Sequence, residues 1–206
     1  MNIKTTELPD VLIIESQVYR DSRGYFLETF NFENFQDAVG EFNIMQANQS
    51  KSKRGVIRGL HFQKPPFTQA KLVQVIKGDI LDVIVDIRTD SPTFGQHMSI
   101  ELNGTNKTKL YIPRGFAHGF ITLSKDAIFS YYVDSLYAPS YESGIRFDDK
   151  TLNIDWKMKR NLIVNDKDRG LKLFNELEFD TKAEYNRKIQ PRINHMHIKC
   201  NNDENT

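Results

Sequence analysis

Leu81-Asp82-Val83-Ile84-Val85-Asp86-Ile87 decides the fold class. Leu81, Val83, Val85 and Ile87 fall on one face of an extended chain, the period of two that marks a strand with a buried side. Turn signals flank it on both sides. Lys77-Gly-Asp79 precedes it, and Asp90-Ser-Pro92, Asn103-Gly104 and Pro113-Arg-Gly115 follow. From residue 44 to about 156 the chain reads as short strands broken in this way, with little helical pattern between them. That spacing predicts an all-β sandwich or barrel. A jelly roll fits best, because its mouth can hold a small ligand.

Outward from this block the pattern loosens. Residues 11–14 (Val-Leu-Ile-Ile) predict an opening strand, and Asp21-Ser-Arg-Gly24 a turn in which glycine supplies the permissive backbone. Tyr25 to Phe30 alternates like a strand. Asn31 is placed to cap a short helix whose Phe32, Phe35 and Val39 recur at helical spacing. Near the other end, Leu171, Phe174 and Leu177 predict a helix, and Asp180 a cap for another before Pro191. The expectation is one domain over residues 1–185, with peripheral helices mainly C-terminal, and a polar, frayed tail over 186–206.

With 28 basic and 27 acidic residues in 206, the net charge is +1, so no global field recruits nucleic acid or an acidic membrane. An anionic ligand must then be held by local cations. The one cysteine, Cys200, excludes an intrachain disulfide and suits a reducing compartment. No run approaches signal-peptide or membrane-spanning character, and a cytoplasmic protein is expected.

Chemistry concentrates in Arg54-Gly-Val-Ile-Arg-Gly-Leu-His-Phe-Gln63, with a lysine following in Gln69-Ala-Lys71. A base, a fixed cation and a tight backbone are what proton removal beside a carbonyl requires. Strict alternation puts Arg58 and His61 on opposite faces, so serving one pocket demands a bulge or twist, with Gly59 the obvious place. Otherwise Arg58 is a surface charge. Tyr131 shares a face with Ala127, Phe129 and Val133 and should point inward, either as a satisfied core phenol or as a proton donor. His118, between the glycines of Gly115-Phe-Ala-His-Gly-Phe120, suits a structural or a ligand-binding role equally. Small barrels of this type often bind iron or manganese through two histidines two apart plus further ligands. Here the strand reads His61-Phe-Gln63, which argues for chemistry without a metal or other cofactor. His195-Met-His197 has no companion ligands and is read as no metal site.

Longer motifs carry a resemblance. Arg54–Gln63, Gln69-Ala-Lys-Leu-Val73, Asp90-Ser-Pro-Thr-Phe-Gly95, Ile112-Pro-Arg-Gly-Phe-Ala-His-Gly-Phe120 and Gly144-Ile-Arg-Phe-Asp-Asp149 resemble the dTDP-4-dehydrorhamnose 3,5-epimerase family, in order over roughly residues 5–175. The resemblance implies a metal-free cupin jelly roll, usually a homodimer, that inverts C3 and C5 of a dTDP-linked 4-keto-6-deoxy sugar on the route to L-rhamnose. It makes His61 the general base, Asp168 its carboxylate partner, Tyr131 the acid on the opposite face, and Lys71 the cation beside the C4 oxygen. By the same matching Arg58 and Lys167 hold the diphosphate or its neighbours, and Tyr137 stacks on the thymine. Gln46, Asn48, His118 and Glu142 fall at ligand-contact positions, while Arg23, Phe26 and Glu28 reach the nucleotide across the dimer. Ala47 departs from the polar or acidic residue usual there, without touching a catalytic assignment.

Two rivals remain. A C3-only epimerase of the same family keeps His61 and Asp168 but need not protonate C5. A non-catalytic sugar-nucleotide-binding cupin is disfavoured by the presence of base, acid and lysine together.

Overall fold

The structure, a computed structural model, describes residues 2–187. Its strands are β1 (Asn2–Thr5), β2 (Leu12–Glu15), β3 (Val18–Asp21), β4 (Gly24–Leu27), β5 (Gln46–Lys53), β6 (Ile57–Gln63), β7 (Lys71–Lys77), β8 (Asp79–Asp86), β9 (His97–Asn103), β10 (Thr108–Ile112), β11 (Phe116–Thr122), β12 (Asp126–Val133) and β13 (Glu142–Gly144). The helices are α1 (Phe32–Val39), α2 (Asp166–Arg169) and α3 (Lys182–Asn186). A six-stranded sheet, β1-β2-β10-β7-β12-β5, faces a five-stranded sheet, β13-β6-β11-β8-β9, while among the described residues β3 and β4 pair only with each other. The order jumps across the chain, as in a jelly roll.

Alternation along the strands builds three apolar layers. On β8, Ile80 and Ile84 point between the sheets and meet Val73, Val75, Leu110, Phe120 and Phe129. The opposite face, Leu81, Val83, Val85 and Ile87, is buried too, under Ile145, Leu152, Trp156, Phe174 and Tyr185 from the C-terminal segment. On the outer face of the six-stranded sheet, Ile14, Leu72 and Tyr111 are covered by Phe35 of α1 and by Phe42. The Phe35 ring meets Phe42 at 5.1 Å and Tyr111 at 5.6 Å, both edge-on. Removing so enclosed an aromatic costs about 3–5 kcal/mol. Asn31 caps α1 as its sequence suggests, its side chain accepting from the Asn34 amide at 3.1 Å.

Three expectations need correction. The strand begun at Tyr25 ends at Leu27, because its one partner, β3, is exhausted there. Phe30 turns instead onto Phe35 and Tyr132. No helix runs over 171–177. Lys172 bridges Ile145 in extended form, and only Phe174–Glu176 make a single 3-10 turn. Tertiary packing overrides the spacing: Phe174 lies against Phe94 and Phe179, with its amide donating to Asp149 at 2.7 Å. The last helix is capped by Thr181 rather than Asp180, through a reciprocal box in which Glu184 accepts from the Thr181 amide at 2.7 Å. Pro191, His195, His197, Cys200 and all but the first two residues of the 186–206 tail lie outside the described residues. Among those described, no helix is long and apolar enough to cross a membrane.

Candidate active site

A cavity of about 380 Å³ opens between the two sheets. One wall supplies Arg58 and His61 from β6 and His118 from β11; the other supplies Asn48 from β5, Lys71 from β7 and Tyr131 from β12. Tyr137, Glu142 and Asp168 complete the lining from connecting segments and β13.

Arg58 and His61 reach the same cavity because β6 carries one extra residue. His61 stands opposite His118, but Arg58 opposite Phe120, so three steps on β6 match two on β11. The irregularity sits at Gly59, where φ is +120° and an added Cβ would come within 2.5 Å of Gly119 Cα. Two glycines facing each other let the backbones approach where any side chain would collide. The bulge turns Leu60 into the core while His61 keeps a view of the cavity.

His61 Nε2 lies 2.7 Å from Asp168 Oδ1. Asp168 is buried, and its other oxygen accepts from the Gly59 amide at 3.1 Å. Burial alone would raise this carboxyl, but hydrogen bonding and charge from His61, with the Gly59 amide, hold it below the usual carboxylate range. An ionised Asp168 requires Nε2 to donate, so the free lone pair of a neutral His61 is on Nδ1. Asp168 is delivered by α2, whose cap Asn165 accepts from the Asp168 amide at 2.7 Å.

A second pair lies behind the first. His118 Nε2 is 2.9 Å from each oxygen of Asp82, both residues being buried. Burial pushes the His118 ring below its ordinary value, against the pull of Asp82. Lys71 points its ammonium at the His61 carbonyl, 3.4 Å away. Desolvation brings it down to about 8, opposed by the charges of Asp82 and Glu142. Across the cavity, burial raises the Tyr131 phenol, with Arg58 working the other way.

The rim is polar and cross-linked. Glu142 accepts from Lys167 Nζ at 2.6 Å and from the Tyr137 hydroxyl. The segment carrying Tyr137 is held by glutamines: Gln46 accepts from the Tyr137 amide at 3.0 Å, Gln63 accepts from Ala138 at 2.6 Å, and Gln69 donates to Ser135 at 2.8 Å. Among the described residues, no group of three or more His, Cys, Asp or Glu is arranged to hold a metal ion.

This arrangement can be compared with known proteins. A family model described as dTDP-4-dehydrorhamnose 3,5-epimerase matches residues 5–176. The chain belongs to that family. The dTDP-4-dehydrorhamnose 3,5-epimerase of Shigella flexneri is 48% identical over 169 residues, 82% of this chain and 93% of the relative. That of Methanothermobacter thermautotrophicus is 47% identical, over 83% of this chain and 93% of its own length. A solved dTDP-6-deoxy-D-glucose-3,5-epimerase from Legionella pneumophila, in complex with dTDP-4-keto-L-rhamnose, superposes with a TM-score of 0.84 at 41% identity, covering 87% of this chain and 97% of that one.

Of the residues singled out from sequence, this epimerase-family fold brings His61, Lys71, Tyr131, Asp168, Asn48, Arg58, His118, Tyr137 and Glu142 to one cavity. Gln46 and Lys167 stand one step behind, bonded to Asn48 and Glu142 respectively. Arg23, Phe26 and Glu28 are not in this cavity. They belong to the β3–β4 hairpin and its exit, with Phe26 70% exposed and Arg23 paired to Asp21 at the tip. Asp82 was missed. Its signal was available: a carboxylate within the apolar run 80–85 must find a partner if its strand is buried on both faces. Gln63, which in the sequence marks only the position where a second metal ligand is missing, braces the Tyr137 segment.

Proposed function

We propose that this cavity inverts C3 and C5 of dTDP-4-dehydro-6-deoxy-D-glucose, giving dTDP-4-dehydro-L-rhamnose. The observation that carries the reading is a carboxylate-backed histidine on one wall and an inward tyrosine on the other, with a half-buried lysine beside the histidine. A ketone at C4 acidifies the C–H bonds at C3 and C5. His61 Nδ1 takes the proton, and Asp168 stabilises the imidazolium that forms. The electron pair moves onto the C4 oxygen as an enolate, where the Lys71 ammonium meets it in a poorly solvated setting. Tyr131, kept protonated by burial, returns a proton from the opposite wall, which inverts the centre. The phenolate then recovers a proton from solvent, and the imidazolium releases one.

Arg58 and Lys167 supply cations for the diphosphate, and Tyr137 an aromatic face for the base. Gln46, Asn48, His118 and Glu142 complete the contacts to the sugar nucleotide. Arg23, Phe26 and Glu28 lie outside their own chain's cavity, so a binding role for them belongs to the cavity of a partner in a homodimer. Cytoplasmic action suits a chain whose single cysteine allows no internal disulfide.

The test is incubation with dTDP-4-keto-6-deoxyglucose in D₂O with chelator present. Deuterium at both C3 and C5, with an L-configured sugar after reduction, is the expected result. Label at C3 alone identifies a single epimerase, and label at neither carbon overturns the reading.

A further inference from the structure

The β3–β4 hairpin leaves the barrel as an arm with little to hold it. Among the described residues its two strands pair only with each other, and Tyr19 and Phe26 are 61% and 70% exposed. An isolated two-stranded hairpin is marginal in water, so its direction must be set at its base. There the chain enters at Ser16 and returns at Glu28, and Ser16 Oγ donates to the Glu28 carbonyl at 3.3 Å. Beneath that contact lies Lys109 of β10, only 3% exposed. Its ammonium donates to Ser16 Oγ at 2.6 Å and reaches the Glu28 carbonyl at 3.5 Å. One buried cation thus holds both ends of the arm.

Nothing in the core accounts for a lysine here. Residues 109 and 111 share the outer face of the six-stranded sheet, where Tyr111 packs against Phe35 and Phe42. A buried ammonium without a salt-bridged carboxylate is costly to keep, and burial lowers Lys109 to about 8 despite the nearby Glu28 charge. Its neighbour Lys107 makes the outer contact, donating to the Tyr25 hydroxyl at 2.9 Å and lying 4.6 Å over that ring. The turn into β10 therefore grips the arm at two depths, the deeper one at the hinge.

We propose that Lys109 is a positioning residue for substrate binding in the partner chain: it sets the angle at which the arm leaves the barrel, and so the reach of Arg23, Phe26 and Glu28. This rests on the reading that the arm completes the partner's cavity.

The experiment compares steady-state kinetics of the parent with Lys109→Met, Lys109→Arg and, as the reference for the arm itself, Arg23→Ala. Dimer content is followed by sedimentation. Lys109→Met is expected to raise KM for dTDP-4-keto-6-deoxyglucose about tenfold with kcat within about twofold, since misplacing a binding group is felt far from the altered residue. Lys109→Arg, which keeps a cationic donor, should recover most of that loss. If Arg23→Ala raises KM while Lys109→Met does not, the arm works but Lys109 does not aim it. Unchanged KM in both removes the arm from the partner's site and the inference with it. A fall in kcat and thermal stability at constant KM assigns Lys109 a purely structural role and also overturns the proposal. Should Lys109→Met fail to fold, Ser16→Ala removes the hydroxyl at the same hinge, and the same KM-specific rise, a few-fold in size, is required of it.

Discussion

The cavity and the arm are both built from antiparallel strands, but the cavity joins strands distant in sequence across two sheets whereas the arm is a single hairpin, and they are held by opposite means. In the cavity the two histidine–carboxylate pairs are held at several points: His61 by Asp168, Asp168 by Gly59 and Asn165, and His118 by both oxygens of Asp82. The arm, by contrast, exposes its aromatics and depends on Lys109 at its root and Lys107 further out at Tyr25. Chemistry that moves a proton between fixed atoms needs groups held within fractions of an ångström. The difference teaches where to look for each kinetic effect: kcat in the mouth, KM in the arm.

The largest test of this division is His61→Ala. It should lower kcat about 10³-fold or more while leaving ligand affinity within a few-fold, as read by turnover and by calorimetric binding of dTDP. Comparable loss of both would mean that the histidine is a binding group.

Gly59→Ala attacks the bulge that brings Arg58 and His61 together. With φ at +120° and Gly119 Cα 2.5 Å from the new Cβ, urea denaturation should show a loss of about 2–4 kcal/mol. An alanine tolerated without cost would mean that the strands can separate and that the mouth is less rigid than its contacts imply.

Lys71 gives the pH dependence. Its ammonium, brought down from 10.5 to about 8, is present below that value and lost above it. The kcat/KM profile, which reports the free enzyme, should therefore fall on the alkaline side of about pH 8, and Lys71→Arg should remove that limb at some cost in rate. The sign for stability is the reverse. Between about pH 8 and 10.5 the unfolded chain holds the proton that the folded Lys71 and Lys109 have released, so unfolding free energy should rise with pH from these two groups.

The smallest thermodynamic effect is expected in the arm. Phe26→Ser, at a side chain 70% exposed, should change monomer-level stability by no more than about 0.5 kcal/mol. It should nevertheless raise KM several-fold. Mixing His61→Ala with Arg23→Ala subunits sharpens the point: if the arm serves the partner, mixed dimers contain one intact site and regain parental KM. Without recovery, the arm belongs to its own chain or to no site.

Much of this was legible from residue order. The alternation over 81–87, the turn at 21–24 and the cap at Asn31 depend on neighbours within a few residues, and local sterics and hydrogen bonding decide them. Local alternation also made a bulge at Gly59 the condition for Arg58 and His61 to share a pocket, but left open whether they do; the pairing with β11 decides that they do. Less legible was anything decided by distant packing. Leu171, Phe174 and Leu177 have helical spacing, but the aromatic cluster around Phe94 and Phe179 binds that segment as a bridge and a single turn. Asp82 could not be assigned a partner, because the residue that satisfies it, His118, lies 36 positions along the chain.

By itself, then, the sequence determined the all-β class, the strand that carries His61, and a family resemblance dense enough to name the chemistry. Only the tertiary structure decided that β8 is buried on both faces, that Asp82 pairs with His118, and how Asp168, assigned to His61 by the resemblance, is anchored by the Gly59 amide and the Asn165 cap. The reason is physical: strand periodicity is a short-range property of the backbone, whereas a catalytic pair and a free-standing arm exist only once two sheets have closed and set which side chains lose their water.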